Sequence, residues 1–344
     1  MRALAIVACA ATAGCGGKVG QGGPPLAVVE IIGADPAETS LGKALFFDTR
    51  VSSSGTTACA TCHQPERGFS DGKRFSQGAS GATLPRHTPH LYNLASMDVY
   101  FWDGRATSLE EQARLAIENP DEMGGSLEAL VSKLSAVPDY ERQFQAAFPR
   151  DGITTEAIVR AIASFVRSLV SAGSPYDRYL EGEADALTES ADRGRGLFFG
   201  RANCSACHRG PNLTDGGVHN TGVPGDDRGR AALDRVGEFR VQPYPFFQTN
   251  KAFKTPGLRN VALSAPYFHD GSEATLRDVV RFYDRGGKDR ASYGLSADIK
   301  PLGLTDGEIY DVVAFLESLT SRVDIGPTAP LPVGSDLALT RTIR

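Results

Sequence analysis

Two pentapeptides, Cys59-Ala60-Thr61-Cys62-His63 and Cys204-Ser205-Ala206-Cys207-His208, constrain this chain more than anything else in it. Each is the C-x-x-C-H spacing of covalent c-type haem attachment, in which two thiols add to the haem vinyl groups and the histidine ligates iron. Together they use every cysteine after residue 15. A zinc ribbon would set its cysteine pairs some 15–20 residues apart, whereas 141 residues separate Cys62 from Cys204. A thioredoxin-like redox pair needs neither the following histidine nor a second copy. Two c-type haems are therefore expected, each wrapped by its own part of the chain.

At 344 residues the chain has room for two domains of ordinary size, roughly 100–200 residues each. Its hydrophobic share of 41% and charged share of 22% suit a soluble globular protein. A formal charge of −5 with no clustered basic stretch argues against nucleic acid as a partner. It agrees better with a basic redox partner. Residues 1–15 read as an export signal, with Arg2 followed by an apolar run too short to span a membrane. Cys15 follows Thr12-Ala13-Gly14, which resembles a lipoprotein processing site, so a lipid anchor is an alternative to simple release. Export places the chain in the periplasm, where c-type haem is attached.

Residues 16–30 are Gly-rich and read as a flexible linker, and 326–344 as a Pro-rich tail. Between them runs an internal echo: Gly42-Lys43-Ala44-Leu45-Phe46-Phe47 precedes the first haem motif and Gly194-Arg195-Gly196-Leu197-Phe198-Phe199 the second. The echo divides the chain into an N-terminal haem domain, 31–178, and a C-terminal one, 179–325. Ser108-x-x-Glu111 and Thr305-x-x-Glu308 predict capping boxes at helix starts. Ile158, Ile162, Phe165 and Leu169, and again Ile309, Val313, Leu316 and Leu319, recur at helical spacing. No alternating strand is visible, and residues 209–260 are rich in loop formers. The expected class is mainly α: two cytochrome c-like haem domains with long loops.

Further strings carry a resemblance. They are Leu41-Gly42-Lys43-Ala44-Leu45-Phe46-Phe47-Asp48, Gly68-Phe69-Ser70-Asp71-Gly72 and Phe101-Trp102-Asp103-Gly104-Arg105, with Asn119-Pro120-Asp121-Glu122-Met123-Gly124 after them. Beyond these come Lys254-Thr255-Pro256-Gly257-Leu258-Arg259-Asn260 and Pro266-Tyr267-Phe268-His269-Asp270-Gly271. In their order around two haem motifs they resemble the bacterial di-haem cytochrome c peroxidase family, which includes MauG. The resemblance spans 41–320. It implies a peroxidatic haem on Cys59, Cys62 and His63 and an electron-transfer haem on Cys204, Cys207 and His208. The reaction would reduce hydrogen peroxide to water with electrons from a small cytochrome c or cupredoxin.

The resemblance also places Gln112 and Glu122 on the distal side of the peroxidatic haem, Glu122 to move a proton and Gln112 to orient peroxide. Taken alone, Glu122 would read as a solvated loop residue. Typical members hold a removable histidine on that iron, in the loop after the first haem motif. Here the loop, residues 75–81, has no histidine, methionine or lysine, and His87 and His90 follow as ligands or as ordinary loop residues. A peroxidatic iron without a second protein ligand is expected. The family position of the other iron's sixth ligand holds Tyr283, the MauG-like pattern, although Leu276, Val279, Val280 and Tyr283 also form one apolar helical face. Trp102, the only tryptophan, would stand between the haems. A calcium ion, usual in the family, would fall to the carbonyls of Ser264 and Pro266, with His87 where asparagine is usual. His269 would be structural and Arg259 would pair with a haem carboxylate. Homodimers are common in the family. Two rivals remain: MauG-like oxidation of aromatic residues in a protein substrate, and a non-enzymatic di-haem electron carrier.

Overall fold

The computed structural model describes residues 35–235, 249–327 and 331. The expected export signal and linker, and most of the expected Pro-rich tail, lie outside them. No helix among the described residues is long and apolar enough to cross a membrane. The fold is mainly helical. Its only described sheet pairs β1 (Val218–His219) with β2 (Phe253–Lys254), antiparallel, with Val218 opposite Lys254.

The first half is built on α1 (Pro36–Phe47) and α6 (Thr155–Arg167), with α3 (Leu109–Glu118), α4 (Leu127–Ser135) and α5 (Pro138–Ala147) around them. Asp35 caps α1, its Oδ1 accepting from the Ala37 N–H at 2.7 Å, and Thr154 caps α6. The expected periodic residues Ile158, Ile162, Phe165 and Leu169 are all buried. A glycine inside a helix costs about 1 kcal/mol against alanine, and Gly42 shows why it stands in α1. A methyl group there would lie 1.8 Å from the Ala161 carbonyl oxygen, so only glycine lets α1 cross α6 this closely.

The second half repeats the device. α8 (Glu189–Phe199) crosses α10 (Asp306–Glu317), and a methyl group at Gly194 would lie 1.8 Å from the Asp311 carbonyl oxygen. α7 (Pro175–Leu180) and α9 (Leu276–Asp284) complete this core. The chain passes between the cores after Leu169, and Tyr176 already belongs to the second. After α10 it returns, with Val323 and Ile325 packing on the first half and Lys43 Nζ donating to the Ile325 carbonyl at 2.6 Å.

One capping expectation needs correction. Thr305 and Glu308 form the full reciprocal box. Ser108 accepts from the Glu111 N–H at 3.0 Å, but the Glu111 carboxylate turns to the Thr107 N–H at 2.7 Å, so that box is only half made.

The internal echo extends well beyond the two glycine strings. Thr88-Pro89-x-Leu91-x-Asn93 and Thr255-Pro256-x-Leu258-x-Asn260 form matching turns, with Asn93 at φ 57° and Asn260 at φ 58°. Each asparagine ties its loop to the chain beyond the long helix of its half. Asn93 N–H donates to the Leu169 carbonyl, and its side-chain oxygen accepts from Ser171 N–H at 2.7 Å. Asn260 does the same with Leu319 and with Ser321 N–H, also at 2.7 Å. The hydroxyls of Ser171 and Ser321 meet at 2.8 Å, where the two halves join.

Candidate haem-binding and peroxide site

Both C-x-x-C-H motifs coil into one turn: α2 (Cys59–Cys62) in the first half, a 3₁₀ turn over Cys204–Ala206 in the second. The N–H of His63 donates to the Cys59 carbonyl and that of His208 to the Cys204 carbonyl, each at 2.9 Å. His63 Nδ1 lies 2.8 Å from the Phe69 carbonyl oxygen and His208 Nδ1 lies 2.9 Å from that of Leu213. Phe69 and Leu213 both take a left-handed backbone (φ 59° and 52°), which presents the carbonyl. With Nδ1 anchored, Nε2 is the ring atom left for a metal. Burial lowers the pKa of both imidazoles and keeps them neutral, the form that ligates iron.

Four free cysteines line the two cavities, Cys59 and Cys62 in one, Cys204 and Cys207 in the other. Burial pushes the Cys59 and Cys204 thiols up to about 12 and Cys62 to about 11. A redox-active C-x-x-C would have a lowered pKa. The first cavity holds about 700 Å³, within the roughly 300–1,000 Å³ range of small-molecule sites. Its back wall is apolar, with Phe46 packed 6.5 Å from the His63 ring, matched by Phe198 at 6.4 Å from His208 in the second cavity. Paired thiols, an oriented imidazole and an apolar slot fit a covalently held haem in each half.

Gln112 and Glu122 both line the first cavity with His63. Gln112 stands on α3, and Glu122 on the loop that follows it. The Glu122 carboxylate accepts from Asn119 Nδ2 at 3.1 Å and lies 3.8 Å from Arg105 Nη2. Burial nevertheless raises its pKa, against the lowering pull of Arg105 and Asn119. It is therefore poised to hold a proton more readily than a solvated glutamate. The 75–81 loop is fastened to this same segment: Ala79 N–H donates to the Glu122 carbonyl at 2.6 Å. A methyl group at Gly78 would lie 1.7 Å from the Asp121 carbonyl oxygen.

Trp102 lines both cavities, together with His87, Pro89, His90, Lys254, Pro256 and Gly257. Its indole N–H donates to the His87 carbonyl at 2.7 Å. Both ring nitrogens of His90 are engaged, Nε2 at 2.9 Å from the Gly257 carbonyl and Nδ1 accepting from Tyr92 N–H at 3.3 Å. Burial lowers the His90 pKa to about 4. His87 is held between the Lys73 carbonyl, 2.7 Å from Nδ1, and the Ser70 hydroxyl, 3.3 Å from Nε2. Both rings are held by contacts from the chain itself.

Ser264 and Pro266 share the second cavity's wall with His87, whose ring also faces the Ser264 carbonyl. A hard cation needs about six to eight oxygens, and here an imidazole fills the place of one. These residues do not fit calcium. Arg259 is already committed: Nη1 lies 2.6 Å from Asp177 Oδ1, and Nε and Nη2 donate to the Pro211 carbonyl at 3.0 and 2.9 Å. His269 stacks on Phe253, centroids 3.5 Å apart.

Tyr283 lines the second cavity from α9, and burial raises its pKa. The corresponding helix of the first half is α3. Each follows a matching Tyr-Phe-x-Asp-Gly turn, Tyr100 N–H to the Ala106 carbonyl and Tyr267 N–H to the Glu273 carbonyl, both 2.8 Å. Counted from the caps Ser108 and Thr275, the eighth residue is Ala116 in α3 and Tyr283 in α9. Ala116 lines the first cavity. The sequence reading missed this pairing, which the two matching turns encode.

Two further features escaped it. Lys254 lies in the shared wall, and Cys207, Asp215 and His219 bring ligand atoms within 4.8 Å of one another. His219 Nε2 bonds Asp215 Oδ2 at 2.9 Å.

Comparison with known proteins agrees with this geometry. The family model for di-haem cytochrome c peroxidase matches residues 36–185, and that for cytochrome c matches 191–320. The chain is 43% identical over 289 residues to methylamine utilization protein MauG of Methylorubrum extorquens, covering 83% of this chain and 79% of that protein. It is 35% identical over 300 residues to cytochrome c551 peroxidase of Nitrosomonas europaea, covering 86% and 83%. The crystal structure of a MauG-like protein associated with microbial copper homeostasis superposes with a TM-score of 0.76 at 36% identity, covering 86% and 93%.

Proposed function

This chain belongs to the di-haem cytochrome c peroxidase and MauG family of haem oxidoreductases, and from that premise we propose that it reduces hydrogen peroxide in its first cavity. Electrons would come from a small exported redox protein in the periplasm. The balance is one peroxide, two protons and two electrons to two waters. Haem supplies an iron that binds peroxide and exchanges electrons.

Cys59, Cys62 and His63 would hold the first haem, in the first half of the chain. Cys204, Cys207 and His208 would hold the second, in the half whose core begins at Tyr176. Glu122 takes the proton from the inner peroxide oxygen and delivers it to the outer one. Gln112 orients the peroxide by hydrogen bonding. Trp102, in the wall common to both cavities, gives the electron an aromatic step between them. Tyr283, on the wall of the second cavity, would be the residue there that holds the iron through its phenol oxygen.

The observation that carries this reading is one cavity lined at once by His63, Gln112 and Glu122, with Trp102 in the wall it shares with the other. The test is peroxide-dependent oxidation of a reduced small cytochrome c by the haem-loaded protein. Turnover at about 10⁴ M⁻¹s⁻¹ or more supports it. Absence of turnover with intact haems refutes it.

A second reading keeps the peroxide chemistry but directs it at aromatic side chains of a protein substrate. Tyr283 in the second cavity and the similarity to MauG favour it. Haems that react with peroxide while cytochrome stays reduced would select it. Membership of an enzyme family leaves no support for a plain electron carrier.

A further inference from the structure

Among the described residues, several guanidinium groups withdrawn from solvent are paired with carboxylates. Arg86 is held by Asp103 at 2.6 Å and Asp227 at 2.7 Å, Arg259 by Asp177 at 2.6 Å, and Arg50 by Asp48 at 2.5 Å. Lys254 has no such partner: among the described residues its ammonium makes neither a hydrogen bond nor an ion pair. Only its backbone is tied down, the N–H donating to the Trp102 carbonyl at 2.7 Å. Burial without a counter-charge lowers its pKa to about 8.

Burying an ammonium without a counter-charge is unfavourable. A chain that keeps one there has a partner that the polypeptide does not supply. The position identifies that partner by its chemistry. Lys254 lines both cavities at their common wall, beside Trp102, so its counter-ion comes from what the cavities bind. The groups that fit them are haems, and each haem carries two carboxylates. The guanidinium next along the same strand-and-turn segment, Arg259, is excluded because Asp177 and Pro211 already hold it.

We propose that Lys254 is a positioning residue shared by the two haems: its ammonium pairs with haem carboxylates at the junction of the cavities and raises the reduction potentials of both irons. The proposal rests on the di-haem reading above. A fixed positive charge favours the ferrous over the ferric state, because the ferrous centre carries one charge fewer. One lysine in a common wall acts on both centres, and so narrows their separate adjustment. It sits beside the ring that an electron would cross.

The experiment is a spectroelectrochemical titration of the haem-loaded parent, Lys254→Met and Lys254→Arg, with haem content measured first. Two haems per parent chain establish the di-haem reading independently of Lys254. In Lys254→Met the ferrous-to-ferric ratio of both haems at a fixed ambient potential is expected to fall about tenfold, equivalent to 59 mV for a one-electron couple. Lys254→Arg is expected to stay near the parent. If Lys254→Met fails to retain haem while Lys254→Arg retains both, charge pairing is again supported. Unchanged potentials in Lys254→Met, a shift at one haem only, or equal loss of haem in both variants would overturn the proposal.

Discussion

The two halves of this molecule are one scaffold used twice with different distal faces. The supports match in detail: Gly42 and Gly194 at the helix crossings, Asn93 and Asn260 at the loops, carbonyls of Phe69 and Leu213 on the histidines. Even the aromatic packing matches, Phe46 on Phe165 at 5.0 Å and Phe198 on Phe315 at 5.1 Å. The divergence falls on one helix face. Where α9 offers Val279 and Tyr283, α3 offers Gln112 and Ala116, with Glu122 just beyond. Ala116 shares the first cavity with His63, and Tyr283 the second with His208. On the proposed reading, this difference opens the first haem to peroxide and closes the second, while the framework stays common.

The largest expected effect lies in the polar face that only the first half owns. Glu122→Gln should lower kcat/KM for peroxide by about 10²–10⁴, with two haems retained, as stopped-flow peroxide kinetics would register. An unchanged rate would put the proton with another group. Exchanging the paired residues tests the comparison next. Tyr283→Ala should let the reduced protein bind carbon monoxide at both haems, whereas Ala116→Tyr should abolish binding at the first. Infrared or optical carbon monoxide titration reads both.

The shared supports should respond alike. Gly42→Ala and Gly194→Ala each force a methyl group into a carbonyl oxygen, and overpacking of this kind costs about 1–3 kcal/mol. Denaturant unfolding should show similar losses, each with earlier release of its own histidine from iron. Strongly unequal losses would break the equivalence of the halves.

The smallest effect concerns pH. Burial raises the Glu122 pKa, and the hydrogen bond from Asn119 lowers it. Glu122 must be ionised to accept the peroxide proton, so activity falls as pH drops through its pKa, above the usual carboxylate range of about 4.3. Asn119→Ala removes a lowering contact and should move that acid limb to higher pH. A limb that stays in place, or moves down, would separate it from Glu122.

Much of this was legible in the sequence because covalent haem attachment leaves a spacing that few other functions require. The mainly helical class followed from the periodic faces of α6 and α10, whose apolar residues lie in the cores, Val313 only at the edge of the second. The glycine strings showed the repeat, but only its first segment. The equivalence of Ala116 and Tyr283 depends on two short turns that differ only at their third position and whose spacing differs from that of the glycine strings. The demands on Arg259 and His87 were not legible, since their partners at Asp177, Pro211 and Lys73 are fixed by loop paths rather than by periodicity. Nothing in the sequence around Lys254 sets it apart from other lysines. A lysine becomes informative only when its surroundings are seen to hold no carboxylate.

The claim that one scaffold carries one open and one closed haem is tested most directly by titrating the reduced, haem-loaded protein with carbon monoxide. The account predicts one carbon monoxide per chain, bound at the His63 haem and lost in Ala116→Tyr. Binding at both haems, or at neither, would contradict it.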